Sequence, residues 1–227
     1  AALTSVLGPW LLDNYRSYMD MGPGGLPYNA YGWLIAVYRK SFSRETRSTA
    51  AYDADPYKEA FLTEADRAFI PERRGDRPAT TWHVFPSRQL DRFSPPEVQP
   101  LLVEAFDKIA ADNAHLISVV PSRFERLHPA IVIGLSRTFV QKASHKARGE
   151  ICHIHRGKDF SLHICMASQD CKLVIERGWG ERHPLAGSHF LPKEYMMLYA
   201  PRSEEEVEVI KRCIKAAIGF NLNTHDV

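Results

Sequence analysis

The sequence predicts an α+β fold, an antiparallel sheet covered by helices with a helical N-terminal portion. Three observations predict it. Short β-prone runs bounded by turn residues follow one another after residue 116. Amphipathic stripes at helical spacing flank and interrupt those runs. Apolar residues in the first quarter also recur near helical spacing. The 227 residues read as one domain over 1–227. Residues 1–93 form its helical N-terminal portion and 94–227 its α+β core.

In chain order, Pro9 suits the start of a helix carrying Trp10, Leu11, Tyr15 and Met19. A turn-rich stretch from Met21 to Asn29 precedes the apolar, aromatic segment Tyr31–Phe42. That stripe reads first as core packing, and otherwise as a ligand wall through Trp33 and Tyr38 or a membrane-facing surface. Residues 71–78 read as an exposed loop, and Thr80–Phe85 alternates like a strand. Ser94-Pro-Pro-Glu97 has the spacing of a capping box. The helix it would open carries Val98, Leu101, Leu102, Ala105, Phe106 and Ile109 on one stripe.

Strands are then expected at Leu116–Val120, Arg123–Leu127 and Ala130–Leu135, followed by a long surface loop over 136–149. Ile151–His155 and Ser161–Met166 form the next strand pair. Ser168 is placed to cap a helix that Gly178 ends, and Tyr195–Ala200 forms a strand stopped by Pro201. A second capping box, Ser203 to Glu206, opens a last helix with Val207, Ile210, Ile214 and Ala217 inward.

The composition excludes several classes. Lys and Arg total 29 against 27 Asp and Glu, too small an excess for a protein that binds nucleic acid by neutralising phosphates. No run approaches the roughly 18 apolar residues of a membrane span. Cys152, Cys165, Cys171 and Cys213 contain no CxxC pair and read as buried, reduced thiols of an intracellular protein. There is no GxSxG, no HExxH and no dinucleotide fingerprint.

Chemistry concentrates late in the chain. His153 and His155 are two apart on a strand and so share a face. With a turn centred on Lys158, His163 lies across from His153 on that face, with Cys165 beside it. Imidazoles so grouped can relay protons near neutral pH or ligate a metal. Acid–base or ligand-orienting roles lead, hydrogen-bonded structural histidines follow, and a metal comes last. The run Gly178–Gly187 adds Trp179, Glu181, Arg182 and His183 on a loop, where Arg182 would stabilise an enolate or carboxylate. Trp179 as a core anchor, with Arg182 ion-paired, is the competing reading.

Several runs together resemble the fungal luciferase family. They are Gly149-Glu-Ile-Cys-His-Ile-His155, Ser161-Leu-His163, Ala167-Ser-Gln-Asp170, Gly178-Trp-Gly-Glu-Arg-His-Pro-Leu-Ala-Gly187, Leu198-Tyr-Ala-Pro-Arg202 and Ser203-Glu-Glu-Glu206. The resemblance is strong over 149–220 and traceable upstream. It implies oxidation by molecular oxygen of an enolic α-pyrone of the 3-hydroxyhispidin type, through a peroxide, with loss of carbon dioxide and without metal or organic cofactor. It also implies a membrane anchor preceding Ala1, hence membrane association, and relatives in fungal secondary metabolism whose reactions need not be oxidative.

The expected catalytic residues are therefore His153, His155, His163, Arg182 and His183. The expected substrate contacts are Trp179, Glu181, Tyr199, Arg202, Trp33 and Tyr38, with no metal ligand and no cofactor. The expected partners are a small apolar, aromatic, polyketide or terpenoid substrate and molecular oxygen. Three readings stay open: cofactor-free oxygenation, a non-oxidative cyclase such as a pericyclase or isomerase, and a hydrophobic-ligand carrier.

Overall fold

The computed structural model describes residues 2–227, with side chains from residue 8 onward. Its helices are α1 (Ala2–Asp20), α2 (Ala30–Lys40), α3 (Ala50–Asp53), α4 (Glu64–Phe69), α5 (Gln99–Asp112), α6 (Lys142–Lys146), α7 (Ser168–Glu176) and α8 (Glu204–Leu222). Its strands are β1 (Ile117–Pro121), β2 (Pro129–Ile133), β3 (Glu150–Ile154), β4 (Leu162–Cys165), β5 (Gly180–Arg182) and β6 (Tyr195–Leu198). All six form one antiparallel sheet in the order β1-β2-β3-β4-β6-β5. The α+β fold class is as expected.

One face of the sheet carries the main core. Ile131, Cys152, Ile154, Leu162, Ile164, Met196 and Leu198 belong to one buried cluster with Leu102, Phe106 and Ile109 of α5 and Val207, Ile210 and Ile214 of α8. Burying each such side chain contributes about 1.5–3 kcal/mol, so this face supplies much of the driving force for folding. Helix α8 is well specified locally. The Ser203 hydroxyl accepts the Glu206 N–H at 3.3 Å, three glutamates occupy the first turn, and Asn223 ends the helix in the left-handed region. The reciprocal half of that capping box is missing, because the Glu206 carboxylate instead binds Arg202 and Arg73.

Several expected elements differ. Helix α1 begins before Pro9, which lies inside it at the expense of one backbone hydrogen bond. Helix α5 starts at Gln99 rather than after a Ser94 cap. Pro96 disfavours a helical Pro95, and a separate turn closed by the Val98 N–H on the Pro95 carbonyl intervenes. The Ser94 hydroxyl has no partner, and Leu101 faces outward. Arg123–Leu127 is a turn, since the Ser122 hydroxyl accepts the N–H groups of Phe124 and Glu125 and Arg126 has φ +65°. Thr80–Phe85 makes only an isolated bridge, Thr80 to Gln89, because the segment crosses the sheet face instead of extending its edge.

Residues 136–149 contain α6 rather than loop alone. Ser168 does not cap α7, as its hydroxyl donates to Asp55 at 2.5 Å. On α2 only Gly32 and Ala36 are buried, while Tyr31, Leu34 and Tyr38 are exposed, so the aromatic stripe is not core. All four cysteines are free and buried. No helix among the described residues is long and apolar enough to cross a membrane.

Candidate active site

The opposite face of the sheet carries the histidines. His153 pairs with His163 across β3 and β4, and the Ser161 carbonyl accepts the His155 N–H. All three rings therefore stand on one face, and their centroids lie 4.8–5.4 Å apart. His183, just past β5, completes the group with its ring 5.1 Å from His163. Tyr195 stacks on His163 at 5.4 Å. The segment 80–89 covers this face. Phe85 packs on His183, Arg88 reaches Glu125, and the Gln89 N–H donates to Asp159. The four rings are at most 5% exposed, which makes their polar atoms depend on protein partners.

Those partners assign each ring its tautomer. On a regular strand residues 150 and 153 face opposite sides. A bulge in the β2–β3 pairing, where Ile131 faces Cys152 and Val132 faces Glu150, brings the Glu150 carboxylate onto the histidine side. Glu150 accepts from His153 Nδ1 at 2.6 Å and is itself held by the Ser122 hydroxyl and the Arg123 N–H. His155 Nδ1 lies 2.9 Å from the Ser161 hydroxyl, which donates onward to Asp159 at 2.5 Å, so the ring is the donor. His163 Nδ1 donates to the Met196 carbonyl at 3.2 Å. All three rings thus turn an unprotonated Nε2 away from their supports. His183 is reversed. The Leu185 N–H donates to its Nδ1 at 3.1 Å, so its Nε2 carries the hydrogen and has no partner.

Glu125 sits over the pair from the β1–β2 turn. Its Oε2 is 3.8 Å from His153 Nε2 and 3.7 Å from His155 Nε2. Arg88 clamps the same carboxylate with both terminal nitrogens. The ligand atoms of Glu125, His153 and His155 come within 4.8 Å of one another, and among the described residues this is the donor set that could hold a metal. Burial, reinforced by the Arg88 charge, keeps His155 well below the usual histidine range. Burial and the neighbouring imidazoles do the same to His163, and burial lowers His183 to about 3. Burial also raises Asp159. It would raise Glu150 too, but the hydrogen bonds that carboxylate accepts, from His153, the Arg123 N–H and the Ser122 hydroxyl, bring it below the ordinary value. A surface cleft of about 500 Å³ between α1 and residues 88–93 is lined by Arg16, Met21, Arg88, Gln89, Phe93 and Asp159. Its floor residues Arg88 and Asp159 touch Glu125 and His155 on their far sides.

The Luciferase domain family model matches residues 148–217, the stretch that carries all four clustered histidines. A luciferase of Armillaria gallica is 32% identical over 235 residues, covering 98% of this chain and 86% of the relative. The luciferase of Neonothopanus nambi is 31% identical over 231 residues, covering 97% of this chain and 84% of the relative. The chain belongs to the fungal luciferase family. No solved structure matches it.

In this member of the fungal luciferase family the expected site residues divide. His153, His155, His163 and His183 come together. Arg182 does not join them, because it lies on the other side of β5 with its guanidinium on Glu45 and over the Tyr52 ring. Glu181 pairs with Met197 beside His163 and binds the Tyr199 hydroxyl at 3.0 Å and the Thr80 hydroxyl at 3.1 Å. Trp179 is buried in the core, with its indole N–H on the Pro71 carbonyl. Arg202 is held by Glu206 and the Arg74 carbonyl. Trp33 packs against Tyr18 and Met21, donating to Asn14, and Tyr38 stands exposed against Phe42.

Sequence reasoning missed Glu125, Glu150, Arg88 and Asp159. Glu150 lay inside the run Gly149–His155, where only the bulge turns it toward His153. Asp159 was equally close to the histidines. Glu125 and Arg88 carry no local signal, since their contacts span 28 to 37 residues and more of chain.

Proposed function

We propose that this chain is a luciferase-like enzyme that oxidises an enolic, pyrone-type small molecule with molecular oxygen. The observation that carries the reading is the opposite protonation of two adjacent rings: His163 donates from Nδ1 and so has an acceptor at Nε2, and His183 accepts at Nδ1 and so has an unpartnered donor at Nε2. An enol needs both. His163 takes the hydroxyl proton while His183 donates to the oxygen on which negative charge collects. Proton transfer by a positioned group contributes typically about 10²–10⁴-fold, and an oriented donor adds to it by stabilising the anion. The enolate so formed is electron-rich enough for oxygen to add at carbon, giving a peroxide that loses carbon dioxide. The names of the Armillaria and Neonothopanus relatives support an oxidation of this kind.

Substrate enters on this reading by the cleft ending on Arg88, Gln89 and Asp159, the last of which lies beside His155. The test is incubation with a 3-hydroxy-α-pyrone under ¹⁸O₂, followed by mass spectrometry. Label from the gas in the product is the expected result. A product isomeric with the substrate would replace the reading with a cyclase, and an unaltered ligand would replace it with a carrier.

A further inference from the structure

We propose that Glu125, His153 and His155 form a binding site for one divalent first-row transition-metal ion. The argument begins with the hydrogen atoms. His153 donates Nδ1–H to Glu150, and His155 donates Nδ1–H to Ser161, so each presents an Nε2 lone pair. Both lone pairs point toward Glu125 Oε2, at 3.8 and 3.7 Å, and neither nitrogen has a hydrogen-bond partner. Three acceptors therefore converge in a space buried to 95% or more, with no proton among them. Acceptors left this way carry a desolvation cost, and a cation at their centre removes it. Arg88 does not fill that role. It binds both oxygens of Glu125 and no imidazole, and an oxygen with two lone pairs keeps one on Oε2 for an ion.

Buried carboxyls outnumber buried guanidinium groups around the site. The carboxyls of Glu125, Glu150 and Asp159 are buried, and Arg88 is the buried guanidinium that touches Glu125. The supports also match those of metal-bound histidines. A ligating imidazole ordinarily donates its other ring nitrogen to a carboxylate or an equivalent acceptor, which fixes its tautomer and raises its basicity. His153 has Glu150 in that place, and His155 has Ser161 backed by Asp159. Ligands about 2.1 Å from an ion lie roughly 3.0–3.5 Å apart, so each imidazole needs to close on Glu125 by about half an ångström. The ligand atoms already lie within 4.8 Å of one another, and the two imidazoles close the remaining gap of up to about 1.5 Å by turning toward the ion. Two imidazoles and one carboxylate with open positions suit Fe(II) and Zn(II) among first-row ions. This departs from the cofactor-free expectation, and it stands whether or not the proposed oxidation is the reaction.

The 227-residue chain, dialysed against EDTA and checked for native circular dichroism, is titrated without oxygen with Fe(II), Mn(II), Co(II) and Zn(II) in separate samples. Metal content after gel filtration is expected to reach one ion per chain, with a rise in melting temperature that grows with metal concentration. Glu125→Gln and His155→Gln should weaken binding at least about tenfold, and Glu150→Gln about 10–100-fold, while His183→Phe leaves it unchanged. Should the ligand variants fail to fold, the visible spectrum of Co(II) bound to the unaltered chain decides. A visible spectrum shifted from that of hydrated Co(II) by the bound imidazoles supports the assignment, and the unshifted spectrum of hydrated Co(II) overturns it. Folded protein that retains none of the four ions overturns it, as does undiminished binding in Glu125→Gln,His155→Gln.

Discussion

His163 and His183 stand 5.1 Å apart, yet a carbonyl at one Nδ1 and an amide N–H at the other give them opposite hydrogen-bonding roles. His183→Phe keeps the ring shape and removes the donor. It should lower kcat by about 10²–10³ with the fold intact, measured by steady-state kinetics beside circular dichroism. Asp170 makes a different prediction, about stability. Burial raises its pKa to about 6 even though the Phe61 and Leu62 N–H groups and Arg67 favour the carboxylate. A carboxyl whose pKa is higher in the folded chain stabilises it at low pH, and that contribution fades as pH rises through about 6. Relative to Asp170→Asn, the native chain should lose about 2 kcal/mol of stability between pH 4 and pH 8, read by urea denaturation at each pH. The rings of the cluster were legible because period-two spacing fixes a strand face. Their protonation was not, because it depends on partners such as Met196 and Leu185 that come from neighbouring strands and turns.

At the scale of elements, the β3–β4 hairpin was readable down to its register, since the turn at Lys158 sets His153 opposite His163. Helices α5 and α8 were equally plain from their stripes. Ile214→Ala on α8 removes a fully buried side chain from the core cluster and should cost about 2–5 kcal/mol in chemical denaturation while leaving metal binding unchanged. Strand β5 is tighter still. A Cβ at Gly180 would sit 2.4 Å from the Met197 carbonyl oxygen, so Gly180→Ala should push β5 from β6 and lower the melting temperature. The elements misread were those decided by local polar competition. The Ser122 hydroxyl turned an apparent strand into the turn that carries Glu125, and paired prolines moved the start of α5.

Across the whole molecule the sheet separates two tasks. Its helix-covered face holds the chain together, and its other face gathers imidazoles and carboxyls beneath the segment 80–89. The α+β class and the common face of His153, His155 and His163 followed from the sequence. The covering segment did not, since nothing local to Phe85 or Arg88 says which sheet face they reach. Arg182 illustrates the same limit, because one residue of strand register separates it from the histidine side. The central claim is that this buried face serves oxidation by molecular oxygen. Consumption of a 3-hydroxy-α-pyrone by the purified chain, timed in air and again under strict anaerobiosis, tests it most directly. The account predicts turnover in air that stops without oxygen. Turnover at the same rate under nitrogen would contradict it.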